Sequence, residues 1–488
     1  MGKMSETASL TQWANAEFEK QGIATLLNSG LLTRAREGLG GSHTVVTYPP
    51  LDALAPLTRE ELLAHIKPLN NLSLYLHIAF CEHLCPFCHY AKTYSPIGGE
   101  SALMQLYLSA LFAEINTWLG LLAGSEASSI YIGGGTPTVL SDARLEELLR
   151  SLSGLPKASH LITCVETSPL TSCADSGRRK LQTLLDAGVN RISVGIQSFD
   201  DALLRQTRGH GKELAVECLE LLEKLGIEYN IDLLQDLPYQ TDESIIHDLE
   251  WVQRFHPPQV TWYILRVHQE SVWYRLYQRH DLELPLPLDS VRRRLMVREG
   301  MRRIGYVCRP GGRFVWDPRI YDRFKEIRGG TEPALLGMGA AAYSHAWGYL
   351  FRNSASASTQ SGIRNYAEKI QRDGLAVESG LPVDRLELTA GRMVAGIRSG
   401  IGLPKPEPAT ETYLESASAL LLQLERESFV SVDESGVWSL TERGFLFEEE
   451  ICSLFYSGPV KERLTVSGAY WSGVPAAPRY LQRPNVHN

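Results

Sequence analysis

Tyr75-Leu-His-Ile-Ala-Phe-Cys-Glu-His-Leu-Cys-Pro-Phe-Cys88 carries an apolar strand directly into three cysteines, Cys81, Cys85 and Cys88, spaced C-x3-C-x2-C. Thiolates are soft ligands suited to iron–sulfur clusters. Three of them leave one iron of a [4Fe–4S] cube without a protein ligand. An open metal position is where chemistry happens, as in catalytic zinc sites. The competing reading is structural zinc with His83 or His89 as fourth ligand. That would be a crowded knuckle, and no second C-x2-C pair accompanies it. Cys164, Cys173, Cys218, Cys308 and Cys452 show no ligand spacing and read as core residues.

Outward from this loop, short apolar runs alternate with amphipathic segments. Strands are predicted over 72–78, 129–132, 161–165, 191–196, 229–234 and 260–265, and helices over 102–119, 142–152, 177–187, 214–225 and 242–255. Such βα alternation predicts a parallel sheet with right-handed crossovers, an α/β fold carrying its functional groups at the carboxyl ends of the strands. The second strand ends in Gly133, Gly134 and Gly135, which would let backbone groups approach a ligand without a Cβ in the way.

The flanks are less regular. Residues 1–70 are polar with a break at Tyr48-Pro-Pro-Leu-Asp52 and form an N-terminal extension. The barrel and its adjoining segments are assigned to 71–380. They include a basic helix over 289–304 carrying Arg292, Arg293 and Arg294, read as a solvated face, and a glycine- and alanine-rich turn over 335–344. Residues 381–456 combine helices with a hairpin over 429–440, predicting a helical, winged-helix-like C-terminal domain. A loosely ordered tail is expected over 457–488.

The chain has 488 residues, 44% hydrophobic and 21% charged, an ordinary globular composition with ample core. Its net charge of −8 argues against a nucleic-acid partner, including for the winged module. No apolar run approaches 18 residues and no signal pattern opens the chain, so a cytoplasmic protein in a reducing compartment is expected, off the membrane.

Several segments resemble, in order, the HemN-like branch of the radical SAM enzymes. They are the cysteine loop, Gly133-Gly-Gly-Thr-Pro-Thr138, Val165-Glu-Thr-Ser-Pro169, Asn190-Arg-Ile-Ser-Val-Gly-Ile-Gln-Ser-Phe199, Asn230-Ile-Asp-Leu-Leu-Gln-Asp-Leu-Pro238, Leu335-Leu-Gly-Met-Gly339 and the segment 440–452. The resemblance implies a partial (β/α)6 TIM-like barrel. S-adenosylmethionine (SAM) would bind the open iron, and an electron from the cluster would cleave it to a deoxyadenosyl radical. It also implies a small-molecule substrate, an electron donor such as flavodoxin or ferredoxin, and a monomer. By matching position, Tyr75, Gly134, Glu166 and Tyr343 correspond to residues around the first SAM. Phe87, Gly135, Thr136, Gln197, Asp232 and Arg208 correspond to those around a second.

Departures from the pattern bear on the reaction. Tyr90 stands where the coproporphyrinogen oxidases of the branch carry another cysteine, and Ala79 replaces a familiar proline. These changes point to the branch's methyltransferase and cyclopropane-forming group, which transfers a SAM-derived one-carbon unit to an sp2 carbon. Oxidase-type decarboxylation and a haem chaperone without radical turnover are the alternatives. Tyr343, His345 and Arg266 are the candidates by position for handling the substrate's proton or hydrogen.

Overall fold

The structure, a computed structural model, describes residues 2–23, 47–265, 267–268, 271–317, 319, 334–354 and 360–466. Six strands follow the predicted alternation: β1 (Leu72–Ile78), β2 (Ala127–Gly134), β3 (Lys157–Thr167), β4 (Arg191–Gln197), β5 (Glu228–Gln235) and β6 (Gln259–Ile264). They pair parallel in sequence order, each to the next. β1 is buried along nearly its whole length, because helices cover its outer face and the lumen its inner one.

The crossovers include α1 (Ala102–Leu121), α2 (Asp142–Ser151), α3 (Gly177–Asp186), α4 (Asp201–Arg208), α5 (Lys212–Leu225) and α6 (Asp242–Phe255). Their starts are locally encoded. Ser101 and Asp200 accept from the first-turn amides of α1 and α4, and Gly209 and Gly226 end α4 and α5 at positive φ.

The sheet extends past the six strands. β7 (Val307–Arg309) and β8 (Arg313–Val315) form a hairpin on the outer side of β6. β9 (Leu335–Met338) pairs parallel to the free side of β1, and β10 (Tyr343–Ala346), β11 (Tyr349–Asn353) and β12 (Val377–Pro382) continue it antiparallel. The predicted turn over 335–344 is thus two strands joined by a four-residue turn. Small residues serve close packing here, not looping: a Cβ on Gly337 would lie 2.4 Å from the Tyr343 carbonyl oxygen.

α1 is pinned to this extension by a buried network. The Tyr107 hydroxyl donates to the carbonyl of His77 and accepts from the Ala340 amide at 3.3 Å. Two turns along, the Glu114 carboxylate accepts from the Gly339 amide at 2.8 Å, Asn353 Nδ2 at 2.7 Å and the Tyr366 hydroxyl at 2.6 Å. Burial pushes this carboxyl up to about 7, against the pull of its three donors.

The basic helix, α7 (Pro287–Arg303), is not a solvated face. Arg292 makes a two-pronged pair with Asp242 at 2.7 and 2.8 Å, and Arg293 donates to the Gln240 carbonyl at 2.7 Å. Arg294 donates to the Leu446 carbonyl, and Arg298 meets Glu442 at 2.6 Å. The helix is wedged between the barrel and the C-terminal helices, so its cations serve as inward pins.

A second core joins α7 to the C-terminal segments through Val291, Leu295, Met393, Leu421, Phe429, Phe447 and Tyr456. The predicted hairpin is present as Val430–Val432 and Val437–Leu440, with Ile401–Gly402 as a third strand. Tyr48, from the N-terminal extension, also enters this core, where its hydroxyl donates to Glu387 at 2.6 Å. The start of the expected tail is a helix, Gly458–Val466, because Val460 and Leu464 are buried in the same core. The rest of the tail, 467–488, lies outside the described residues. No helix among the described residues is long and apolar enough to cross a membrane.

Glu114 predicts a pH-dependent stability. Its folded pKa lies above its unfolded one, so its contribution is fully present below about 4.5 and is lost as pH rises through about 7. The loss is on the order of 3 kcal/mol. Thermal melts of Glu114→Gln and the parent chain across that window should show the difference moving in favour of the variant as pH rises. A constant difference would refute the buried-acid account.

Candidate functional site

β1 ends at Ile78 and the cysteine loop begins at once. The loop returns beside its own start: Phe80–Cys81 pairs with Thr93–Tyr94, and Ser95 N donates to the Cys81 carbonyl at 2.9 Å. Lys92 Nζ closes it on the Cys88 carbonyl at 2.8 Å. Cys81 and Cys85 are buried and Cys88 is half-buried. Burial, followed by the neighbouring anions, pushes the Cys81 thiol far up, and burial raises Cys85 as well. Such thiols become thiolates only when a metal supplies the compensating charge. Among the described residues no three His, Cys, Asp or Glu side chains could hold one metal ion between them. In a cubane each of the three thiolates would take a different iron.

Arg208, the last residue of α4, donates from Nη1 to Cys85 Sγ at 3.1 Å. Its Nε is buried without a partner, as are Glu82 Oε2, His83 Nε2 and His210 Nε2 around the same loop. The Thr136 hydroxyl hydrogen-bonds Cys81.

The glycine run lies against neighbouring groups of the chain itself. A Cβ on Gly133 would lie 2.6 Å from the Glu166 carboxyl carbon, and one on Gly134, which has φ +104°, 2.4 Å from the His77 ring. One on Gly135 would lie 2.3 Å from the Phe80 carbonyl oxygen. This closeness lets Gly135 N donate to Ile78 O at 2.8 Å and Thr136 N to Phe80 O at 2.7 Å, stitching β2 to the cysteine loop.

Inward-pointing side chains make a polar lumen. Glu166 accepts from the Tyr131 hydroxyl at 2.8 Å and the Gly134 amide at 3.0 Å. Tyr75 and Tyr343 pack against the patch formed by Tyr131, Cys164 and Leu335, and the Tyr75 and Tyr131 rings stack at 6.2 Å. After burial, the charges of Glu166, Cys164 and Asp232 raise the Tyr131 phenol further. Asp232 accepts from Asn230 Nδ2 at 2.8 Å and lies opposite Gly195 in the β4–β5 register. A Cβ on Gly195 would sit 3.0 Å from Gln197 Nε2 and 3.6 Å from the Arg208 guanidinium, so those two residues converge.

Other expected residues stand apart or differ in role. Phe87 packs in a satellite apolar cluster, its ring 5.6 Å from Trp273. His345 shares a face of β10 with Tyr343, and burial pushes it down to about 4, so it is neutral near pH 7. Arg266 lies outside the described residues. Tyr90 is 57% exposed and stacks on His89, away from the lumen, so its identity does not shape the interior.

Sequence reasoning missed His77 and Tyr131. His77 Nε2 bonds the Ala91 carbonyl at 2.7 Å and Nδ1 the Tyr75 hydroxyl at 3.1 Å, tying the loop's exit to the lumen. The period of two along β1 and β2, which sets His77 with Tyr75 and Tyr131 with Gly133, was the available signal.

The stitching of β2 to the loop predicts that Gly135→Ala abolishes cluster loading while far-ultraviolet circular dichroism keeps the native fold. Gly133→Ala, whose Cβ meets only a side chain, should load partially. Iron and acid-labile sulfide content after anaerobic reconstitution decides it. Full loading of Gly135→Ala would show that the close approach is dispensable.

The profile of the radical SAM superfamily matches residues 75–252. The chain is 28% identical over 391 residues to the heme chaperone HemW of Bacillus subtilis, covering 78% of this chain and 98% of that one. It is 27% identical over 407 residues to the oxygen-independent coproporphyrinogen III oxidase of Escherichia coli, covering 80% and 86%. The solved structure of coproporphyrinogen III oxidase (HemN) from Escherichia coli superposes with a TM-score of 0.72 at 24% identity, over 84% of this chain and 96% of that one, which shows the shared fold. These relatives do not support the expected placement in a one-carbon-transferring branch. The superfamily profile, with similarity to HemW and coproporphyrinogen III oxidase over about four-fifths of the chain, supports a place in the radical SAM superfamily among HemN-like proteins, and that resemblance implies a [4Fe–4S] cluster and S-adenosylmethionine.

Proposed function

We propose that this protein is a radical SAM enzyme of the HemN type that removes hydrogen from a tetrapyrrole-class small molecule held in the barrel lumen. The observation that carries this reading is the enclosure of Glu166, Asp232 and three tyrosines beside the cysteine loop. Two carboxylates facing a lumen suit a cationic ligand such as SAM, and a walled space protects a carbon radical from solvent. The substrate class comes from the names of the relatives, a heme chaperone and a coproporphyrinogen oxidase.

Cys81, Cys85 and Cys88 would hold the cluster, with Arg208 balancing its charge. Tyr75, Gly134, Glu166 and Tyr343 would seat one SAM. When bound, cluster and SAM supply an electron and a primary carbon radical. The chain's own part is to orient the reacting carbon and exclude water; His345, kept neutral by burial, can offer a hydrogen bond on the face of β10 it shares with Tyr343. A small one-electron donor such as flavodoxin or ferredoxin would feed the cluster, in the cytoplasm, where the eight free cysteines stay reduced.

One-carbon transfer remains the second reading, favoured by Gln197 and Arg208 converging at Gly195 opposite Asp232, a separate polar group able to seat another SAM. The test is anaerobic turnover of the reconstituted protein with SAM, dithionite and coproporphyrinogen III. The proposal expects 5′-deoxyadenosine with methionine and a decarboxylated porphyrinogen. 5′-Deoxyadenosine with S-adenosylhomocysteine would replace it with one-carbon transfer. Haem binding without either nucleoside product would point to a chaperone.

A further inference from the structure

Asp248 lies in the middle of α6, fully buried and outside every motif of the site. Its Oδ1 accepts from the Phe199 amide at 2.5 Å, and the Ser198 hydroxyl lies 3.0 and 3.1 Å from its two oxygens. Ser198 Oγ in turn accepts from the Asp200 amide at 3.0 Å. One helical turn earlier, Ser244 donates to Asp200 Oδ2 at 3.1 Å. Residues four apart share a helix face. Two side chains of α6 therefore clamp the turn between β4 and α4.

Both arms of that turn lead to the site. On one side Gln197 sits at φ +78°, where the register of β4 against β5 slips between Gly195 and Gln197. A non-glycine residue persists in the left-handed region only where its surroundings hold it. On the other side Asp200 caps α4, its Oδ1 accepting from the Ala202 and Leu203 amides at 3.0 and 3.2 Å. α4 is only eight residues long, a stiff strut that ends at Arg208 on Cys85 Sγ. A shift at the start of so short a helix is delivered almost whole to its end.

We propose that Asp248 is a positioning residue that fixes the Ser198–Phe199 turn and so sets both the Gln197 amide and the Arg208 guanidinium against Cys85. This rests on reading those groups as part of the SAM and cluster site. Hydrogen bonds to cluster sulfurs raise the reduction potential, so the clamp also holds the potential up. Burial pushes the Asp248 carboxyl up to about 8, so near pH 7 a neutral acid does the accepting, and asparagine keeps an equivalent oxygen.

The experiment uses the anaerobically reconstituted full chain as Asp248→Ala, Asp248→Asn, Ser198→Ala and Ile245→Val. The last loosens the same helix at a buried aliphatic residue of the main core, whose side chain can make no hydrogen bond to the turn. Two quantities are read by electron paramagnetic resonance: the cluster's midpoint potential and the signal change on titrating SAM. Asp248→Ala and Ser198→Ala should show a more negative potential and about tenfold weaker SAM binding, the effect of one lost polar anchor. Asp248→Asn should stay near the parent. If Asp248→Ala loads no cluster, Ser198→Ala carries the comparison.

A parent-like Ser198→Ala or Asp248→Ala, or an equal shift in Ile245→Val, overturns the proposal. A parent cluster that does not respond to SAM overturns the underlying functional reading instead.

Discussion

The site depends on one constraint: the end of β2 must lie against the start of the cysteine loop with no Cβ between them. Each glycine of the run meets a different partner, the Glu166 carboxylate, the His77 ring or the carbonyls of Ile78 and Phe80. A single three-residue segment therefore fixes the acid, the histidine and the loop relative to one another. Glycine raises the entropy of the unfolded chain by about 0.5–1 kcal/mol per residue relative to alanine. The backbone bonds from Gly135 and Thr136 offset that cost. Surrounding contacts reinforce the same joint: Tyr107 holds the His77 carbonyl and Lys180 the Thr138 carbonyl.

The barrel was legible because parallel strands buried on both faces read as unbroken apolar runs, and its helices as amphipathic ones. The cluster ligands were legible because loop spacing is a local property. What sequence hid was long-range. Leu335-Leu-Gly-Met looks like a turn until β1 is beside it to accept its pairing. Arg292, Arg293 and Arg294 look solvated until Asp242, Gln240 and Leu446 are brought to them. Tyr90 misled for the converse reason: two residues from a ligand in sequence, it points out of the lumen in space. Glu114 and Asp248 are the hardest cases. Acids on amphipathic helices ordinarily mark the wet face, and only the packed neighbours disclose that these two are inside.

Those two acids divide the support of the site between them. Glu114 ties α1 to the turn after β9 and so braces β1 from behind, upstream of the cysteines. Asp248 ties α6 to the turn after β4 and so braces the side from which Arg208 approaches. Burial raises the pKa of both, and a backbone amide offsets part of that cost in each, Gly339 for Glu114 and Phe199 for Asp248.

An open barrel, unlike a closed one, keeps two sheet edges, and exposed edges invite strand-to-strand self-association. Among the described residues the sheet has thirteen strands and ends on one side at Ala55–Pro56 and on the other at Val307–Arg309. The first is two residues long and includes a proline, which has no amide proton to offer. The second is three residues long and closes on an arginine. A neighbouring chain would find little ladder to extend at either of these described edges.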